Sequence, residues 1–85
     1  MAIVFIPPQL RKLTGAAQVE IEGGTVREVV EQLNLQFPGV KERLFTDGQL
    51  SPTLQLSVDH TMTRVVGTKV QPTTEIHFLP VIGGG

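Results

Sequence analysis

The sequence has no cysteine, tryptophan or tyrosine, and its only aromatic residues are four phenylalanines. Without thiols there is no disulfide framework, no thiolate nucleophile and no thiolate metal site. That composition suits a reducing compartment, and the cytoplasm is the expected location. No apolar run approaches the roughly 18 residues of a membrane-spanning helix, so no membrane partner is expected. The opening "MAIVFIPPQL" carries no basic residue ahead of its apolar stretch, which argues against a secretory leader. Strong charge is missing too. The formal net charge is −1, and Arg11, Lys12, Arg27, Lys41, Arg43, Arg64 and Lys69 are scattered along the chain. A nucleic-acid binder shows a clustered basic footprint, so nucleic acid is not expected as a partner. Lys41 and Arg43 read as part of a solvated face.

Catalytic constellations are equally scarce. His60 and His77 have only Asp59 beside them in sequence and lack a convincing ligand set, so no metal is expected. Ser51 and Ser57 lie in no context resembling a nucleophile elbow. "EGGTVRE" lacks the lysine and spacing of a P-loop. Glu20, Glu22, Glu28 and Glu31 read as solvated faces rather than paired catalytic carboxylates. The expectation is a protein without an active site of its own.

What is present describes one small domain. Eighty-five residues bury roughly 60–65% of the surface that the unfolded chain exposes, enough to fold alone with little margin. An apolar fraction of 40% against 18% charged fits a compact globule rather than a disordered chain. "AIVFIP" is β-rich and is stopped by Pro7-Pro8. Ile3 and Phe5 point one way and Val4 and Ile6 the other, the pattern of an interior strand. "QLRKLTGAA" reads as a loop with a turn near Thr14-Gly15. "QVEIE" alternates, with Val19 and Ile21 inward, and reads as a strand forming a hairpin with the first. Thr25 followed by Glu28 predicts a capped helix over about 25–36. Val26, Val29, Val30, Leu33 and Phe37 share its apolar face, and Pro38 ends it. Val40 and Leu44 suggest a short helical turn. "TDGQLSP" reads as a loop around an Asp47-Gly48 turn. "TLQLSV" alternates as a strand with Leu54, Leu56 and Val58 inward, and "DHTM" is turn-like. "TRVVG" is expected as a short edge strand, and "GTKVQPTT" as irregular. "EIHFLP" closes the fold, with Ile76 and Phe78 on one face and Glu75, His77 and Leu79 on the other. One helix over a small mixed sheet makes a two-layer α+β domain.

The chain then ends "FLPVIGGG". Glycine has the most conformational freedom to lose on ordering and offers no side chain to pack. Such a segment is either slack or a part that acts by being thin, bare and mobile. From Pro80 to Gly85 it can reach about 20 Å, at roughly 3.3–3.6 Å per residue. Pro80 removes a donor, so the last strand should end there. The expected division is a globular domain over 1–80 and a flexible tail over 81–85. On the open side of the sheet, His77 and Leu79 form a candidate docking patch.

A ββαββ order running straight into Gly-Gly resembles the β-grasp, or ubiquitin-like, family. It is most similar to the bacterial sulfur carriers of the molybdopterin-synthase small-subunit and thiamine-carrier type. "IPPQLRKLTG" and "FPGVKERLF" resemble the carriers that serve cysteine synthase-type enzymes. "FLPVIGGG" matches the family's apolar strand, proline and terminal glycines. The chain departs from the pattern in reading "LSVDHTM" where the family often has Asn in a "VN" pair, and "QPTT" where it often has an acidic "DGD" turn. It also carries three glycines where two are usual.

The resemblance implies a fold of four to five mixed strands on one main helix. It implies a carrier that is monomeric alone, binds no permanent cofactor and depends on ATP consumed by an E1-like adenylating partner. Gly85 would be adenylated and converted to a thiocarboxylate. Val81, Ile82, Gly83 and Gly84 would enter partner active sites. The acceptor would be a cysteine synthase-like enzyme, a molybdopterin synthase large subunit or a thiazole synthase. Two other readings stand beside it: a modifier joined through Gly85 to lysines of other proteins, and a β-grasp binding module with an idle tail.

Overall fold

Alternation in the opening residues sets the first layer. In the computed structural model, which describes residues 1–81, β1 (Ala2–Phe5) buries Ala2 and Val4 and leaves Ile3 and Phe5 half-buried on the other face. Ile6 continues the inward series, and Pro7-Pro8 stops the strand. The expected loop beyond it is instead helical. A 3₁₀ turn (Pro8–Leu10) runs into α1 (Arg11–Thr14). Proline at a first helical position forfeits no bond, and burial of Leu10 holds the turn to the body. The expected turn at Thr14-Gly15 is the end of this helix, where Gly15 at φ 71° donates its N–H to Arg11 O. β2 (Gln18–Ile21) then returns antiparallel to β1, pairing Ala2 with Ile21 and Val4 with Val19.

α2 (Val26–Gln36) starts where the capping pattern places it. Thr25 Oγ1 accepts the N–H of Glu28 at 3.2 Å. The Glu28 carboxylate returns to the N–H of Gly24 at 2.7 Å, one residue upstream of the usual capping-box partner. Val26, Val29, Val30 and Leu33 are fully buried and Phe37 packs against their edge. The approach to the helix is tight: a Cβ on Gly23 would lie 2.8 Å from the backbone N of Val29. α3 (Val40–Leu44) is the short turn expected from Val40 and Leu44, and both are buried. Asn34 Oδ1 fastens its start by accepting the N–H groups of Gly39 and Lys41.

The expected loop at 46–52 contains a small hairpin, β3 (Phe45–Thr46) and β4 (Gln49–Leu50). Its turn is the Asp47-Gly48 pair, both at positive φ, the geometry that matches strand twist. β5 (Leu54–Val58) faces Leu54, Leu56 and Val58 inward. Asp59 and His60, also at positive φ, form the next two-residue turn. That turn requires Thr61 to pair with Val58, so the edge strand β6 is Thr61–Thr63 and not the expected "TRVVG". Val66 turns inward instead, and the carbonyls of Val66 and Thr68 accept the N–H groups of Arg27 and Val26. The irregular segment thereby satisfies donors that the first turn of α2 leaves open.

β7 (Glu75–Pro80) runs parallel to β1 and antiparallel to β5. The five-stranded sheet has the order β2-β1-β7-β5-β6, with β3-β4 as a separate pair. One sheet face packs on α2 and α3, so the molecule is a two-layer α+β domain with the β-grasp arrangement.

Candidate functional site

The site has two parts, and β7 supplies both. The first is its end. Leu54 pairs with Pro80 and Gln55 with Leu79. Pro80 has no N–H to give the ladder. Val81 does, and donates to Thr53 O at 3.0 Å. The attachment to β5 therefore persists one residue beyond the proline, and Val81, expected in the tail, is held to the body. Ile82, Gly83, Gly84 and Gly85 lie outside the described residues. Val81 also borders an open depression formed with Pro52, Gln55, Met62, Thr63 and Arg64.

The second part is the sheet face turned away from α2. Strand register lines up Gln18, Phe5, His77, Ser57 and Met62 in one row across all five strands. Phe5 and His77 stack face to face, with ring centroids 4.1 Å apart and planes 5° from parallel. His60, in the β5–β6 turn, brings its ring to 6.3 Å from that of His77. Leu79 lies two residues further along β7 and is 41% exposed; Met62 at the far edge is 53% exposed. No residue of the row carries a formal charge when its histidine is neutral. Glu20 and Glu75 flank it, in register with Ile3. The Asp59 carboxylate is turned to the backbone, accepting the N–H of Glu75 at 2.9 Å.

His77 and Leu79 thus share the face expected of them. The sequence reading missed that Phe5, Ser57 and Met62 join them. The outward parity of Phe5 was visible, but its neighbour was not, because the β1–β7 pairing joins the two ends of the chain.

The arrangement is suited to recognition more than to catalysis. Ser57 and His77 are cross-strand partners, yet no hydrogen bond joins them among the described residues and no acid orients the imidazole. Ser51 is occupied in the corner before β5, its hydroxyl 2.9 Å from that of Thr53. Among the described residues there is no group of three or more His, Cys, Asp or Glu that could hold a metal ion. No helix among them is long and apolar enough to cross a membrane.

The model of the ThiS family matches residues 4–85. No curated protein matches the chain significantly. Among solved structures, a chain of the Amycolatopsis orientalis BexX/CysO complex is similar at a TM-score of 0.92 and 28% identity, covering 100% of both chains. Mycobacterium tuberculosis CysO, described as an antigen, is similar at a TM-score of 0.90 and 26% identity, covering 96% of this chain and 100% of that one. The small archaeal modifier protein 1 of Methanosarcina acetivorans shares the fold at a TM-score of 0.82 and 22% identity, with 99% and 95% covered.

Proposed function

The chain belongs to the ThiS family, and from that premise we propose that it is a sulfur carrier, a substrate passed between partner enzymes rather than a catalyst. The observation that carries this reading is the family match itself, which runs through the glycines to residue 85. Similarity to CysO at 28% and 26% identity supports it over nearly the whole chain.

The chemistry follows from the terminus. An α-carboxylate is ionised at neutral pH and is a poor electrophile. An adenylating partner makes it reactive: a carboxylate oxygen of Gly85 attacks ATP, pyrophosphate leaves, and an acyl-adenylate remains. A nucleophilic sulfur supplied by the partner then displaces AMP, leaving a thiocarboxylate. Residues without Cβ suit this step because they pass a narrow channel and adopt backbone angles closed to others. Ile82 gives the segment one apolar side chain with which to grip a partner groove. The open face centred on His77, Phe5 and Leu79 provides the docking surface. Its row carries no formal charge and so costs less to desolvate than a charged one, since burying an unpaired charge is expensive. The acceptor is proposed to be a cysteine synthase-type enzyme, on the resemblance of the segments around Pro7-Pro8 and Pro38-Gly39 and on the CysO similarity. The cytoplasm is the proposed location.

Intact-mass measurement on protein isolated from its source organism tests the proposal. The expected species carries sulfur in place of one terminal oxygen, and its formation depends on ATP and the adenylating enzyme. Persistent absence of that species in the enzyme's presence would sink the carrier reading. Amide adducts on lysines of other proteins, lost on removal of the glycines, would identify a modifier instead.

A further inference from the structure

Arg64 borders the depression beside Val81 and lies in the segment that follows β6. Its guanidinium is committed to main-chain carbonyls. Nη1 donates to Leu54 O at 2.7 Å, and Nη2 donates to Ser51 O at 3.2 Å and Leu50 O at 3.3 Å. Those three carbonyls bracket the corner between β4 and β5. Within the corner, Leu54 N donates to Ser51 O at 3.1 Å and Thr53 N to Ser51 Oγ at 3.3 Å. The carbonyl of Thr53 is used differently, since it accepts the N–H of Val81 at 3.0 Å. One planar cation therefore fixes the peptide units around the acceptor that holds the start of the tail. Hydrogen bonds from a charged donor are stronger than neutral ones, and the guanidinium fork spends little entropy in making several at once.

We infer that Arg64 is a positioning residue for the base of the tail: it immobilises the β4–β5 corner so that the Thr53 carbonyl holds Val81 at a fixed place on the body. The inference rests on the carrier reading in one respect, that the place matters because the segment is a substrate. An arm with a fixed base has fewer conformations to lose on entering a partner's active site, and such pre-ordering raises the rate of the step it serves. Sequence alone gives no hint of this role, because Arg64 reads there as one more scattered surface cation.

Two measurements on the full chain test it. The first is amide hydrogen exchange by NMR, comparing the unsubstituted protein with Arg64→Ala and Arg64→Lys. The expected result is that Val81 exchanges faster by about tenfold or more in Arg64→Ala, as for a local opening. The amides of Ile3 and Phe37, bonded to Thr74 O and Leu33 O far from the corner, should keep their rates. Arg64→Lys, which retains a donor but not the fork, should fall between, and it supplies the answer if Arg64→Ala does not fold. Unchanged exchange at Val81, or equal acceleration at all three amides, overturns the inference. The second is ATP–pyrophosphate exchange with the adenylating enzyme of the source organism. Arg64→Ala is expected to lower kcat while leaving KM nearly unchanged, because docking through the sheet face is retained. A raised KM that depends on ionic strength, with kcat intact, would make Arg64 a docking charge and overturn the positioning role. If the unsubstituted protein supports no exchange at all, the carrier reading fails, while the amide measurement still decides whether the clamp exists.

Discussion

The two faces of the sheet are made by the same strands and differ by single-residue parity. Toward α2, Val4, Leu56 and Ile76 are each 0% exposed. One residue along in each case lie Phe5, Ser57 and His77, which line up on the other side. The inner side is where burial stabilises the fold, at roughly 25 cal/mol per Å² of apolar surface removed from water. The outer side keeps apolar and aromatic groups with no layer above them. Single exposed apolar residues are ordinary. A row spanning every strand without a formal charge is not scattered in that way. The pleat thus separates the buried face from the open one, and a slip of one residue in register would exchange them.

That separation can be broken at several points. The largest effect is expected at the tail: deleting Gly83 to Gly85 should abolish adenylation, read by pyrophosphate exchange, while the thermal midpoint stays unchanged. Retained adenylation would show that the chemistry lies elsewhere. Next is the inner side. Leu33→Ala should cost about 2–5 kcal/mol in denaturant unfolding, because the buried side chain leaves a cavity that neighbours only partly fill. A smaller effect is expected on the outer side. Leu79→Asp should weaken binding to the adenylating enzyme by on the order of tenfold, as loss of an apolar anchor does, with a stability change within about 0.5 kcal/mol. If Leu79→Asp unfolds the protein as readily as Leu33→Ala does, the two faces are not functionally distinct.

What the sequence made legible was local. Thr25 and Glu28 marked the helix start because capping is decided within four residues. The alternation in 54–58 and 75–80 assigned inward and outward sides, since parity needs no knowledge of neighbours. Errors fell where a neighbour decided. The helical stretch after Pro7 is held by burial of Leu10, and β6 took its position from the Asp59-His60 turn rather than from the valines at 65 and 66. His77 and Leu79 were recognisable as a surface pair. The alignment of His77 with Phe5 and Met62, and the grip of Arg64 on the corner below Val81, depend on contacts between distant segments that no local pattern encodes.

The middle strand of the sheet comes from near the end of the chain. β1 touches β5 nowhere in the ladder; β7 is the bridge between them. Without it the ladder falls into two separate antiparallel pairs, β2-β1 and β5-β6, each with an unfilled edge. A nascent or broken chain lacking residues 75–80 cannot close the sheet, so it cannot complete the His77-centred surface either. The outer row therefore exists only once residues 75–80 stand between the two pairs.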